Sequence, residues 1–111
     1  MRLSLRIYFD KKTRLGPGKA ELLELIAAHG SISAAGRAME MSYRRAWKLV
    51  EELNTMFSAP LVTAQTGGAG GGRAALTPAG VEVLRLYRAI EAHAASDQAL
   101  LEKLSSLLPQ G

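Results

Sequence analysis

The sequence predicts a mainly α-helical fold with one small β-hairpin and a long final helix. Three observations support this fold class. The segment 30–54 has the pattern of two short helices, the first rich in alanine and the second amphipathic. Two strand-like runs, LVTAQT and RAAL, flank the glycine-rich GGAGGG, as in a hairpin. The motif LTPAG then opens a last helical pattern. With 111 residues, 48% of them apolar, the chain is large enough for one modest core.

The first thirty residues predict a strand followed by a helix. Four apolar residues alternate with polar ones, which is the period of a half-buried strand: Leu3, Leu5, Ile7 and Phe9. The turn sequence LGPG separates this run from the next element. A buried helix is predicted from Lys19 to His29, and Gly30 is expected to end it.

The next two helices are predicted from the residues that begin them. Ser31 or Ser33 can cap a helix that runs to about Met39, because a short hydroxyl side chain accepts hydrogen bonds from free first-turn amides. Ser42 can cap the third helix in the same way. In that helix five apolar residues repeat at helical spacing and are expected to face the core: Ala46, Leu49, Val50, Leu53 and Phe57.

The outer face of the third helix carries cations and aromatic rings. At about 100° per residue, Arg44 and Lys48 point away from the core stripe and are flanked by Arg45. Tyr43 and Trp47, four residues apart, share one shoulder and can stack. Two short helices joined by a tight turn, the second of them basic, are typical of the helix-turn-helix that reads the major groove of DNA. The alternative is a helical hairpin with a solvated charged face.

The glycine-rich hairpin predicts a wing beside this helix-turn-helix. Small residues let its tip approach the DNA, where Thr66 and Arg73 can hold phosphates. A nucleotide-binding loop is disfavoured because Arg73 and Ala74 stand where that loop needs Lys and a hydroxyl residue. A plain disordered turn is the alternative to a wing. The residues expected to bind duplex DNA are Ser33, Ser42, Tyr43, Arg44, Arg45, Trp47, Lys48, Thr66 and Arg73.

The last helix, begun by Thr77 and Pro78, is predicted to run to about Leu108 and to form a dimer. Apolar residues advance along it by alternating fours and threes, the spacing of a coiled-coil seam. Thirty helical residues would span ~45 Å, which a domain of this size cannot cover alone. In the alternative, Ser96-Asp97 starts a separate helix. We therefore expect a winged helix-turn-helix domain over 1–76 and a dimerisation segment over 77–111, with homodimer contacts from Val83, Tyr87, Ile90, Ala94, Leu101 and Leu104.

The composition disfavours several function classes. Cysteine is absent, so disulfides and thiol-based metal sites are excluded. Neither His29 nor His93 has a metal-ligand partner three or four residues away in the usual combinations, and we expect no metal, no cofactor and no enzymatic activity. No run of eighteen apolar residues and no secretory signal occurs, which predicts no membrane association and a cytoplasmic, nucleoid-associated location in a bacterium.

The distribution of charge indicates a polyanionic partner for the front half of the chain. Residues 1–48 hold ten Lys/Arg and four Asp/Glu, a balance of +6, whereas residues 49–111 hold four and six, a balance of −2. A basic half of this kind fits double-stranded DNA. The rival hypothesis is a protein-interaction module whose basic face docks an acidic protein.

Six segments together resemble the N-terminal domain of the ModE family of molybdate-dependent transcriptional regulators and, more distantly, the DNA-binding region of LysR-type regulators. They are GSISAA (30–35), MSYRRAW (41–47), ELN (52–54), PLV (60–62), TGGAGGG (66–72) and LTPAG (76–80). The resemblance implies a recognition helix over 42–57 and a wing over 61–76.

The chain departs from this family pattern in three respects. Glu40 stands at a turn position where glycine is common, and Gly36 lies inside a helix where alanine is usual. If Glu40 takes a left-handed conformation, it costs about 1 kcal/mol, and Gly36 costs about the same. These two departures predict a slightly altered turn and an intact fold. No strand pattern resembling the family's molybdate-binding domains follows Leu76, so molybdate binding by this chain alone is not expected.

Overall fold

The computed structural model describes residues 2–65 and 72–110, which form five helices and two antiparallel strand pairs. In chain order they are β1 (Ile7–Tyr8), β2 (Arg14–Leu15), α1 (Pro17–His29), α2 (Ile32–Ala38), α3 (Tyr43–Met56), β3 (Val62–Gln65), β4 (Arg73–Leu76), α4 (Pro78–Ala94) and α5 (Gln98–Ser105). The mainly α fold with a small hairpin is therefore confirmed. None of the described helices is both long and apolar enough to cross a membrane.

The helix ends follow from local chemistry that the sequence shows. Gly30 closes α1 in the left-handed conformation and donates its amide to the Ile26 carbonyl. Ser31, not Ser33, caps α2, because the Ser31 hydroxyl accepts from the Ala34 amide at 2.9 Å. Ser42 accepts from the Arg45 amide, and Thr77 accepts from the Gly80 amide.

The core lies between α1 and α3 and is closed by α2, β3 and one face of α4. Its apolar side chains are buried: Leu15, Ala20, Leu22, Leu23, Ile26, Ile32, Ala35, Ala46, Val50, Leu53, Leu61, Val62, Ala74 and Tyr87. The helices α2 and α3 cross closely at Gly36. A Cβ atom built on Gly36 would lie 3.1 Å from the Ala46 Cβ, so the small residues let the two helices approach.

The turn between α2 and α3 contains the expected strain. Glu40 adopts a left-handed φ of 57°, which a side chain makes unfavourable by about 1–2 kcal/mol. The Met41 amide donates to the Gly36 carbonyl at 3.0 Å and holds the turn together. The turn therefore forms with a glutamate in the left-handed conformation.

The N-terminal prediction is only partly correct. A strand over residues 3–9 was expected, but only Ile7 and Tyr8 form β1, paired with Leu15 and Arg14 of β2. Leu3 and Phe9 are exposed. Two residue pairs make a minimal ladder, so the alternating pattern extends beyond the hydrogen-bonded strand.

The prediction of one continuous final helix is wrong. The helix α4 ends at Ala94, and α5 begins at Gln98. The Ser96 hydroxyl donates to the His93 carbonyl, and the Asp97 carboxylate accepts from the Leu100 amide. Short polar side chains that bind neighbouring backbone groups in this way favour helix ends over helix interiors. The alternative, a separate helix starting at Ser96-Asp97, is the one observed.

Candidate DNA interface

The candidate interface is the exposed face of α3. Three side chains of its core stripe are fully buried: Ala46, Val50 and Leu53. Leu49 and Phe57, also expected in the core, are only partly buried. Because the buried stripe fixes the rotation of α3, it also fixes which side chains face outward.

The predicted cations lie together on the outward face. Arg44, Arg45 and Lys48 are all exposed and occupy two successive turns of α3. None of the three is within 4 Å of a carboxylate among the described residues. Their charges are therefore available to an external anion.

The aromatic pair stands on one shoulder of the same helix. The rings of Tyr43 and Trp47 meet edge to face, with centroids 6.1 Å apart and planes at 73°. Tyr43 is 57% exposed, whereas Trp47 packs against the core. The Trp47 Nε1 atom is buried and has no hydrogen-bond partner among the described residues. Trp47 thus supports Tyr43 with its ring while its own polar atom faces inward.

The two predicted serine contacts already have partners inside the chain. The Ser42 hydroxyl caps α3, and the Ser33 hydroxyl accepts from the Arg37 guanidinium at 2.8 Å. A hydroxyl oxygen has two lone pairs and one proton, so both serines keep capacity for a further contact. Arg37, which the sequence interpretation did not single out, is thereby held at the exposed end of α2.

The wing is anchored to α3 by a residue whose role sequence reasoning missed. The Asn54 Oδ1 atom accepts from the amides of Leu61 and Val62, both at 2.9 Å, and its Nδ2 atom donates to the Val62 carbonyl. This amide therefore ties the last turn of α3 to the first residues of the wing. The motif ELN, noted only for its resemblance, contained the signal.

The described part of the wing matches the predicted hairpin. Strands β3 and β4 pair antiparallel, with Gln65 opposite Arg73. Arg73 is exposed at the end of the ladder nearest the tip. Thr66 and the glycine-rich tip lie outside the described residues. The Ala74 amide donates to the Gly30 carbonyl at 2.8 Å, which joins the wing to the start of the helix-turn-helix.

The predicted dimer residues have different environments. Tyr87 is a correction, because it is 1% exposed and its hydroxyl donates to the Leu5 carbonyl of the same chain. This burial also raises the pKa of the Tyr87 phenol. By contrast, Ile90, Ala94 and Leu104 are exposed. Val83 and Leu101 are partly buried.

Comparison with known proteins identifies the regulatory family of this fold. Residues 18–81 match the model of the bacterial regulatory helix-turn-helix protein, lysR family. That range contains α1 to α3, the wing and the start of α4.

Curated relatives align with most of this chain but with only part of their own length. The molybdenum-pterin-binding protein MopB of Rhodobacter capsulatus is 45% identical over 96 residues, which are 86% of this chain and 36% of MopB. The molybdenum transport protein ModE of Azotobacter vinelandii is 35% identical, over 89% of this chain and 36% of that protein. The DNA-binding transcriptional dual regulator ModE of Escherichia coli (strain K12) is 37% identical, over 75% and 32%.

The chain thus spans about a third of the length of these relatives. On the strength of the matching family model and of the geometry of α2, α3 and the wing, the chain belongs to the lysR family of bacterial regulatory helix-turn-helix proteins.

Proposed function

We propose that the chain is a sequence-specific, duplex-DNA-binding transcriptional regulator that acts as a homodimer. In this proposal α3 lies in the major groove and the wing contacts the backbone. The observation that carries it is the exposed trio Arg44, Arg45 and Lys48, held opposite a fully buried stripe on a capped helix. Arginine and lysine at such positions suit guanine edges and phosphates.

The family assignment supports a regulator in preference to an enzyme. The matching model describes regulatory proteins, and the Escherichia coli relative is named a DNA-binding regulator. Within the described residues, no three His, Asp or Glu side chains are grouped so that they could hold a metal ion. In keeping with this function, we place the protein in the cytoplasm, bound to the nucleoid.

The homodimer is proposed from the tail, which we define as α5 with Ser106, Leu107 and Leu108. No residue of α5 is buried in the protomer. Four leucines of the tail are 64–80% exposed: Leu100, Leu104, Leu107 and Leu108. Leu100 and Leu104 lie one turn apart on the same face of α5. A large exposed apolar surface usually marks an interaction site.

The shape of the protomer favours a second copy as the occupant of this surface. The radius of gyration is 16.7 Å, against about 13 Å for a compact chain of this size. The longest extent is 56 Å. A tail that extends from the domain can pack against its counterpart around a two-fold axis, and the same axis would present two α3 helices to a palindromic operator.

The proposed boundary between the DNA-binding part and the dimerising part is the predicted one, but α4 contributes to both parts. Residues 1–76 bind DNA and residues 77–111 pair, but the first turns of α4 also complete the core of the DNA-binding part through Gly80 and Tyr87. The dimer surface therefore consists of the exposed positions of α4, such as Ile90, and of the tail.

Binding of molybdate by this chain in isolation is not part of the proposal. Two of the three relatives described above carry molybdenum in their names. The cations of α3 are exposed side chains, and salt weakens their attraction for a small dianion. We expect DNA binding by this chain to be the same with and without molybdate.

Selection of bound fragments from a random duplex pool tests the function. We expect one enriched sequence whose affinity exceeds that of a shuffled duplex by at least about 10³-fold, and a steep loss of affinity with salt. An unenriched pool, with equal affinity for shuffled DNA and for polyglutamate, would instead support the rival, a module that docks an acidic protein.

A further inference from the structure

The N-terminal hairpin, β1–β2 with its connecting turn, lies beside α3, because Arg14 lines a pocket together with Arg45 and Lys48. The rings of Phe9 and Phe57 meet edge to face with centroids 5.8 Å apart, which fixes the hairpin turn to the end of α3. Closer to the middle of α3, the Lys19 ammonium lies 3.4 Å from the Glu52 carboxylate. Contacts at Phe57 and Glu52 thus join the hairpin turn and α1 to one side of α3. Asn54, which holds β3–β4, lies about half a turn round the helix from Glu52.

A basic pocket opens between this hairpin, the start of α1 and α3. Its volume is about 340 Å³. Five cations line it, namely Arg6, Arg14, Lys19, Arg45 and Lys48, and the only carboxylate in the lining is that of Glu52. We call this group the N-terminal basic pocket.

Most of the positive charge in the pocket is unmatched. Glu52 pairs with Lys19, and the other four cations make no ion pair with a described residue. Like charges that converge in this way repel one another unless an anion lies between them. Among the described residues of the lining, Glu52 is the one anion, and it is already paired with Lys19.

The start of α1 adds to the positive potential. Its N-cap residue is Gly16, which offers no side-chain cap, and the first turn contains no acidic residue. The positive end of the helix dipole is thus not neutralised at the point where Gly16 and Gly18 line the pocket. A Cβ atom on Gly16 would lie 3.0 Å from the Arg6 Nε atom, so the glycine allows Arg6 to lie across the helix start.

We propose that the N-terminal basic pocket binds phosphates of the DNA strand beside α3, so that the β1–β2 hairpin acts as a second wing. The inference rests on the proposed function and extends the DNA contact to a region that the matched family segment, which begins at residue 18, does not include. It assigns Arg45 to the backbone, whereas Arg44 faces the bases.

The placement of the pocket favours a backbone phosphate over other anions. The major groove is about 12 Å wide, so a helix inserted into it has a phosphate strand along each shoulder. The pocket contains Arg45 and Lys48 of α3 itself, which places it directly beside the groove-facing residues. The hairpin tip adds two exposed cations, Lys11 and Lys12, in a turn held by the Asp10 carboxylate, which accepts from the Lys12 and Thr13 amides.

The test is the salt dependence of binding to the selected duplex. The double variant Arg6→Gln/Arg14→Gln should flatten the slope of log affinity against log salt by about 1.8 per bound protomer, about 0.9 for each lost phosphate contact. The preference between selected and shuffled duplex should stay the same. Arg14→Lys, which keeps the charge, should retain the wild-type slope. The matched control is Arg85→Gln, an exposed arginine of α4 outside the pocket, and it should leave the slope unchanged.

Two results would overturn the inference without touching the proposed function. In the first, wild-type protein binds the duplex specifically and the double variant has the slope of Arg85→Gln. In the second, the slopes are equal and calorimetry shows that inorganic phosphate binds the wild-type protein but not the double variant, which would make the pocket a site for a free anion. If the wild-type protein shows no specific duplex binding at all, the proposed function itself fails.

Discussion

The part of the protein before Pro78 and the tail differ in how they use apolar residues. Of the fourteen buried apolar side chains among the described residues, thirteen precede Pro78, and the last is Tyr87. The tail buries none of its leucines. The part before Pro78 thus buries its apolar side chains in a core and has charged residues on its surface. The tail instead has exposed apolar side chains.

The same contrast appears in the electrostatics. Residues 1–48 carry the excess of cations, and residues 49–111, which include the tail, are slightly acidic. Exposed cations around α3 suit a polyanion, and exposed leucines suit an apolar partner. The difference indicates that one chain contains two interaction surfaces of different chemistry, and each can be removed without the other.

Removal of the dimer surface, formed by the exposed positions of α4 and by the tail, should have the largest effect on DNA binding. Ile90 and Leu104 are 47% and 68% exposed, so Ile90→Glu/Leu104→Glu should leave the protomer folded and dissociate the dimer. A monomer contacts only one half-site of the operator. Loss of the linked contact with the second half-site should weaken operator binding by about 10²–10⁴-fold. Sedimentation and fluorescence anisotropy would measure mass and affinity.

The control for this change is Ala92→Glu/Ala99→Glu, which places the same charges at exposed positions on other faces of α4 and α5. It should leave both mass and affinity unchanged. A wild-type protein that is monomeric at micromolar concentration would contradict the dimer.

Removal of the α3 cations should have the next largest effect. Arg44→Ala and Lys48→Ala each leave the buried stripe of α3 intact, so we expect unchanged thermal stability. Operator binding should weaken by about 1–3 kcal/mol, with relaxed sequence preference for Arg44→Ala. Arg85→Ala, which removes a cation of α4 outside the proposed interface, serves as the control. Unchanged affinity in both α3 variants would remove this face from the interface.

The wing should contribute a smaller effect without sequence preference. Arg73 is exposed at the end of the β3–β4 ladder, where it can reach a phosphate. Arg73→Ala should flatten the slope of log affinity against log salt by about one unit. It should weaken binding to the selected and the shuffled duplex equally. A loss confined to the selected duplex would mean that the wing reads bases.

Tyr87 sharpens the boundary between core and dimer surface, with the smallest expected change. Tyr87→Phe removes the hydrogen bond to the Leu5 carbonyl and should lower the free energy of unfolding by about 0.5–1.5 kcal/mol. The dimer should persist, because the ring lies in the core of its own chain. A monomeric variant of normal stability would return Tyr87 to the interface.

The pH dependence of stability provides a second check on Tyr87. Burial raises the pKa of the phenol above its ordinary value of 10.0, because the charged form is poorly solvated. The folded state therefore favours the protonated form, and its contribution to stability is full below pH 10 and lost as pH rises through the raised pKa. Tyr87→Phe should remove this part of the alkaline destabilisation.

Features governed by local chemistry were predictable from the sequence. The caps Ser42 and Thr77 and the glycine after α1 satisfy backbone groups within a few residues, so their sequence patterns are sufficient. The face of α3 was also predictable, because its core stripe repeats at one period.

Features that depend on contacts between distant segments were not predictable. The spacing of fours and threes continues across Ser96-Asp97, although the helix stops there, since spacing records no break in the backbone. Tyr87 lies in that spacing, but Leu5, more than eighty residues earlier, provides its partner. The N-terminal basic pocket likewise combines residues from positions 6 to 52, and each cation alone is ordinary.

Hydroxyl-radical footprinting of the selected operator tests the central claim most directly. If α3 binds the major groove and the tail pairs two protomers, the wild-type protein should protect two tracts centred about one helical turn, ~34 Å, apart. With Ile90→Glu/Leu104→Glu, protection at a concentration high enough for occupancy should no longer be cooperative between the two tracts. A single protected tract for the wild-type protein, or two tracts that fill independently, would contradict the account.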